Sequence, residues 1–288
     1  MPQPRRAQPA DFLVAAIHNA SRSALAMAVV AVALVGTDTA VAVHRTAGSA
    51  DRFPAAAPAR SPGVAGGAVD IGASPSARPS LSPAETKTAN RQGRALLRTA
   101  MSNARAKGSV HAVARFVSER GPAAFDNHAA RHHGVQRLSI YGGHVTIRVL
   151  GPITYFTGDK RGLVKYFGYK AKLAVLQVHK WVPLIAGNKG YRVLTEGVTL
   201  PSMLHNERVV APLRILPART IDGVPVVGVQ GRAAGRGVRR HSIATWWIST
   251  GAHPLPVEFD ASNASTRLTQ RFSAWGKPVR VKRPHAIF

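Results

Sequence analysis

Apolar and polar residues alternate in three rhythms along this 288-residue chain, and each rhythm predicts a different kind of segment. The first rhythm is unbroken. Ala24 to Val35 is apolar throughout, preceded by Arg5, Arg6 and Arg22 and followed by Gly36-Thr37-Asp38-Thr39 and Ala40-Val41-Ala42. A basic start, a short apolar stretch and a small-x-small end make a secretory signal. The run holds 12 residues, against the roughly 20 that span a bilayer. Extended to Val43 it reaches that length, but it then carries Asp38 into the hydrocarbon at a cost. Residues 1–43 therefore read as a cleaved signal or an uncleaved anchor, with a buried core helix as the third alternative. Either of the first two places the rest of the chain outside the cytoplasm.

From His44 to Leu81 the rhythm is lost in Pro, Ala, Gly and Ser, as in Phe53-Pro54-Ala55-Ala56-Ala57-Pro58 and Ser74-Pro75-Ser76-Ala77-Arg78-Pro79. Few large apolar side chains are present to offset the entropy of ordering, so residues 44–81 are expected to be a disordered linker before a globular domain over 82–288. Ser82-Pro83-Ala84-Glu85 then starts a helix: Ser82 caps, Pro83 fits the first turn and Glu85 returns as a capping box. Gly108 supplies the stop after Lys107. Here the rhythm is helical. Ala89, Gly93, Leu96, Leu97, Ala100, Met101 and Ala104 share one face, while Lys87, Arg91, Arg94, Arg98 and Arg105 share the other. The cationic stripe reads either as a solvated face or as a contact for anionic lipid or wall polymer.

Beyond Gly108 the period falls to two. Val110, Ala112, Ala114 and Phe116 alternate with His111, Arg115 and Glu119, a half-buried strand. Gln136–Tyr141 and His144–Leu150 flank Gly142-Gly143 as a hairpin, and Ile153–Thr157 is a further short strand. Asp159 is placed to cap a helical stretch around Leu163–Val178, and a second covers Tyr191–His205. A meander closes the chain: Arg214–Ile221, Val224–Arg232, Ser242–Ser249, Pro256–Ala261 and Thr266–Ala274. About nine strands and three helical pieces without βα alternation predict an α+β fold, one antiparallel sheet with helices on one face.

Composition narrows the chemistry. Apolar residues make up 45%, enough for a core, and there is no cysteine, which excludes disulfides, thiolate metal sites and thiol catalysis. Acids number 13 against 39 Lys and Arg, a net charge of +26. From Thr86 onward 32 cations face 8 acids. In a cytoplasmic protein such an excess marks nucleic-acid binding. Outside the membrane the available polyanions are lipid headgroups and wall polymers, each basic residue contributing about 1 kcal/mol near an anionic surface.

No reaction motif is found. There is no Gly-x-Ser-x-Gly elbow, no Gly-Lys-Ser/Thr, and Gly228, Gly231, Gly235 and Gly237 lack dinucleotide spacing. The basic glycine-rich segment Gly231–Arg240, with Arg236, Arg239 and Arg240, reads as a phosphate-gripping hairpin tip or as a solvated turn. His128, His132 and His133 cluster in sequence, with His111, His144 and His179 elsewhere, but Asp126 is the one acid close by. They read as loop histidines, and neither a metal nor a cofactor is expected.

Several stretches occur in a familiar order: Gly143-His144-Val145-Thr146-Ile147-Arg148, Tyr155-Phe156-Thr157-Gly158-Asp159, His179-Lys180-Trp181-Val182 and Gly197-Val198-Thr199-Leu200-Pro201. They are followed by Ile221–Gly231, Pro254-Leu255-Pro256-Val257-Glu258 and Phe272–Val279. In this order the chain, over about Glu85–Pro284, resembles the LppX/LprG-type actinobacterial lipoproteins, which share a fold with the LolA lipoprotein carriers. The resemblance implies a half-barrel, a curved antiparallel sheet with helices on its concave face and an acyl-chain cavity between them. The chain departs from the family in lacking the lipobox cysteine: the corresponding region is Thr37–Val43, so attachment needs the uncleaved helix, or the protein is released.

The expected cavity lining is Leu96, Met101, Phe116, Ile140, Ile147, Phe156, Phe167, Trp181, Trp246, Phe259 and Phe272, each of which also reads as ordinary core. A chain of about 16 carbons at about 0.8 kcal/mol per methylene gives on the order of 12 kcal/mol gross. The sequence thus points to an exported, non-enzymatic, monomeric carrier or binder of a lipid or lipidated molecule. The alternative is a basic envelope module that holds anionic headgroups or wall polymer on the helix stripe. A nucleic-acid partner is expected only if the leader is not a signal.

Overall fold

The computed structural model describes residues 82–234 and 242–285. The leader, the linker and Arg236, Arg239 and Arg240 lie outside the described residues. The opening helix, α1 (Pro83–Lys107), begins and ends as its sequence dictates. The Glu85 amide donates to Ser82 Oγ at 3.3 Å, the Ser82 amide donates to the Glu85 carboxylate at 2.7 Å, and Gly108 turns left-handed at φ 78.

Five strands come next, β1 (Ser109–Ser118), β2 (Gly121–Ala130), β3 (His133–Ile140), β4 (Gly143–Leu150) and β5 (Ile153–Gly158). After them stand α2 (Lys160–Phe167), α3 (Ala171–Gln177), β6 (Val182–Ile185), α4 (Lys189–Thr195) and α5 (Leu200–Asn206). The chain continues through β7 (Arg208–Ile221), β8 (Val224–Ala234), β9 (Ile243–Ser249), β10 (Pro256–Ser262) and β11 (Thr266–Ser273). The fold is α+β, a single open antiparallel sheet of 11 strands in the order β6-β5-β4-β3-β2-β1-β11-β10-β9-β8-β7.

Three local expectations are corrected. The stretch after Asp159 is two helices, because Gly168 leaves α2 at φ 69. The piece over Tyr191–His205 is likewise α4 and α5, parted at Gly197 with φ 79. The β3–β4 turn is Tyr141-Gly142, both with positive φ (48 and 75), and Gly143 already belongs to β4. Two positive φ values give the turn whose twist matches a hairpin. Gly143 instead serves close packing. A Cβ there would lie 2.7 Å or less from the backbone of Arg161 and Gly162, so α2 sits directly on the strand.

The strand order has a consequence for the middle of the chain. The sheet is two meanders that meet where β1 pairs with β11. Strand β6 therefore ends at one edge and β7 begins at the other. The 22 residues between them, Ala186–Glu207, have to cross the helix-bearing face as a strap. Eleven strands at roughly 4.8 Å spacing make a flat sheet about 48 Å wide. Two seven-residue helices and eight extended residues reach about the same distance only when taut. A curved sheet brings the edges within easy reach. Contacts mark the path: α4 lies on β5, the Asn127 amide of β2 donates to Gly197 O, and Trp246 Nε1 of β9 donates to Glu207 O at 2.8 Å.

Under the strap and helices lies one main core. Inward positions of all eleven strands contribute, as do Ala100 and Ala104 of α1, Leu163 and Phe167 of α2, and Met203 and Leu204 of α5. A small second cluster, Ile221, Val226 and Trp247, lies on the outer face. Among the described residues no helix is long and apolar enough to cross a membrane.

Candidate functional site

The residues expected to line an acyl cavity are brought together, but by each other. Ile140, Ile147 and Phe156 are fully buried, Trp246 and Phe259 are 1% exposed, and Phe116, Phe167 and Phe272 sit in the same cluster, with Leu96 and Met101 packed against it. The rings interlock: Phe156 and Phe167 centroids are 4.4 Å apart, Trp246 and Phe259 4.7 Å, Trp246 and Phe272 5.3 Å. Large aromatic side chains at these inward positions are in ring-to-ring contact. Trp181 is not among them. It lies half-buried beside Arg148, whose guanidinium stands 4.5 Å from its ring centre.

Among the described residues a cavity of about 30 Å³ lies between the strap and the sheet. Its sheet side is Ala112, Ala114, Phe125, Asn127, Gln136, Leu268 and Gln270, and its strap side is Glu196, Gly197, Met203 and Glu207. None of these was singled out from the sequence. Strand parity carried the signal: Phe125 and Leu268 point inward, so Asn127 and Gln270, two residues on, point inward too.

The cavity is polar at one end. Glu207 is 1% exposed, and neither of its carboxyl oxygens has a hydrogen-bond partner among the described residues. Burial pushes its pKa well above the ordinary carboxylate range, and the neighbouring Gln270 side chain offsets only part of that. Asn127 spends its amide on the strap at Gly197 and leaves Oδ1 unpartnered. Burying unpaired polar groups is unfavourable. The strap thus rests on the sheet through few good bonds at this point.

Outside, α1 carries its cations as the helical period requires. Lys87, Arg91, Arg94, Arg98 and Arg105 are exposed, and none forms an ion pair among the described residues. Lys87, Arg91, Arg94 and Arg98 line an open groove of about 510 Å³ with Pro83, Thr86 and Asn90. On the outer face of the sheet the acids are engaged. Glu258 accepts from Arg219 at 2.6 Å and from Arg271 at 3.0 Å, and Arg219 lies 3.5 Å over the Trp247 ring.

The histidines correct another expectation. His128, read as a loop residue, lies on β2 directly opposite His111 of β1. His133 opens β3 and His144 lies on β4.

No protein-family model matches the chain, and no curated protein does. Similar solved structures include LppX of Mycobacterium tuberculosis, at 17% identity and a TM-score of 0.48, covering 67% of this chain and 100% of that one. LprF from Mycobacterium bovis is similar at 14% and 0.46, covering 67% and 97%. An outer membrane lipoprotein-sorting protein domain from Vibrio parahaemolyticus is similar at 8% and 0.28, covering 63% and 92%.

Proposed function

We propose that this chain is an exported, non-enzymatic carrier or binder of a lipid or lipidated molecule, taking an acyl chain between the sheet and the strap that crosses it. The observation that carries this reading is the strap. Two seven-residue helices joined by short links cover the inner face in a single pass, over a cavity where Asn127 Oδ1 and both Glu207 carboxyl oxygens lack a hydrogen-bond partner among the described residues. A ligand site for a small molecule occupies roughly 300–1,000 Å³, so the cavity of about 30 Å³ is the closed state's remnant. Loading lifts the strap and exchanges protein–protein apolar contacts for protein–acyl ones. The cost of opening and the gain on burial are of one kind, since both count apolar area removed from water. The secretory reading of residues 1–43 supports an extracytoplasmic location.

The test is acyl binding by the full chain, read by native mass spectrometry after incubation with palmitate and by titration with a fluorescent 16-carbon fatty acid. Saturable one-to-one binding is expected, insensitive to salt. It should be lost in Ala114→Trp, which fills the cavity beneath the strap. Absence of saturable binding, together with no co-purifying acyl species from the native host, overturns the reading.

A second reading has its own observation, the row of cations along α1 and its groove that form no ion pair among the described residues. It gives a basic module that contacts anionic headgroups or wall polymer, and such contact weakens as ionic strength rises.

A further inference from the structure

We infer that His111, Asp126 and His128 form a binding site for a divalent transition-metal ion of the zinc and copper class on the outer face of the sheet. Two imidazole nitrogens and one carboxylate oxygen are the ligands. The site is built by strand pairing. His111 on β1 and His128 on β2 are register partners, so their side chains leave the sheet on the same side. Asp126 lies two residues before His128 on the same strand and therefore on the same face. The three ligand atoms all fall within 4.8 Å of one another. Asp126 Oδ1 is 2.8 Å from His111 Nε2 and 3.5 Å from His128 Nε2. The two rings stack in parallel, 4.2 Å between centroids and 11° between planes.

The spacing suits a small cation. With metal–ligand bonds of about 2.0–2.1 Å, tetrahedral ligands stand about 3.3 Å apart. His128 already meets that separation, and the contact of His111 with Asp126 has only to open by about half an ångström. Two histidines and one carboxylate leave the fourth position for water, the pattern of an open zinc site. Imidazole ligands favour copper, nickel and zinc over magnesium or calcium.

The surroundings hold two of the ligands in place. His111 Nδ1 faces Ser273 Oγ at 3.4 Å across the β1–β11 pairing. In the ligating tautomer Nδ1 carries the proton and donates to that hydroxyl, leaving Nε2 to face the ion. Arg137 Nη1 on β3 stands 3.7 Å from Asp126 Oδ2 and steadies the carboxylate from the side away from the ion. Such outer partners fix ligand orientation. The site owes nothing to the acyl-carrier reading, for it lies on the opposite face of the sheet.

The experiment is calorimetric titration of the full chain with zinc chloride at pH 7, with magnesium chloride as the control. One saturable zinc per chain is expected, with no response to magnesium. Asp126→Asn, nearly the same shape, and His128→Ala should each weaken zinc binding at least about tenfold. His132→Ala with His133→Ala should leave it unchanged. In the NMR spectrum of the histidine rings, zinc should move His111 and His128 first. If the triple variant His111→Ala, Asp126→Asn, His128→Ala keeps its fold by circular dichroism and binds zinc as the parent does, or if the parent shows no saturable binding, the site does not exist.

Discussion

Replacing Glu207 by methionine should make the protein more stable. Glu207 leads out of α5 into β7, 1% exposed, with neither carboxyl oxygen hydrogen-bonded among the described residues. Leaving a buried polar group unsatisfied costs about 1–3 kcal/mol, and exchanging a poorly compensated buried charge for an apolar residue of similar volume is often stabilising. The adjoining cavity of about 30 Å³ is wide enough for one or two waters, which keeps the cost in the lower part of that range. For a domain of about 200 residues each kcal/mol moves Tm by roughly 2–4 °C, so the Met variant should melt about 2–8 °C higher.

The pH dependence gives a sharper reading of the same group. Its folded pKa lies above the unfolded value of 4.5, so the folded state binds the proton more tightly. Whatever stability the protonated carboxyl preserves is fully present below 4.5 and is lost as pH rises through the raised folded value. The gap between Glu207→Met and the parent should therefore be small at pH 4 and widen upward, by at most about 1.4 kcal/mol per pH unit. Urea unfolding of both proteins in half-unit steps from pH 4 to 8 measures it. Glu196 lines the same cavity but is present in both proteins, so the difference isolates Glu207. A Met variant that is less stable than the parent, or a gap that does not change with pH, refutes the reasoning.

Two other outcomes concern separate parts of the molecule. Gly143→Ala places a Cβ 2.7 Å or less from the backbone of Arg161 and Gly162, and backbone cannot move aside as a flexible side chain can. The expected loss is about 1–3 kcal/mol, read by urea unfolding, and a neutral result means that α2 does not lie against β4 as described. The triple change Arg91→Gln, Arg94→Gln, Arg98→Gln should abolish salt-sensitive association with vesicles of anionic lipid in a sedimentation assay while leaving fatty-acid titration intact. Loss of both together would show that the α1 groove and the acyl site are one.

Much of the architecture was legible locally. The capping box at Ser82–Glu85 and the stop at Gly108 depend on residues within a turn of one another, so α1 was legible to its ends. Alternation with period two likewise marked β1 and most of the closing meander. The strand β2 was missed because Ala123, Ala124, Ala129 and Ala130 blur its contrast between faces, and β6 because four residues carry too short a pattern. Helices α2 and α3 were merged because glycine at 168 is a stop only if its φ turns positive, which α2's packing on β4 decides.

The candidate site divides along the same line. Which side chains are apolar and on which parity they stand was fixed by the order of residues alone, and so was the row of cations on α1. That Trp246, Phe259 and Phe272 interlock rather than enclose a space depends on three strands distant in sequence meeting at one depth. The strap emerges only from the sheet order, since no pattern within Ala186–Glu207 says that β6 and β7 stand at opposite edges. His111 and His128 are 17 positions apart and meet only through register. Local periodicity is set by backbone geometry a few residues long, whereas cavities, straps and ligand clusters come from pairings across the sheet, which the chain specifies jointly and no short segment contains.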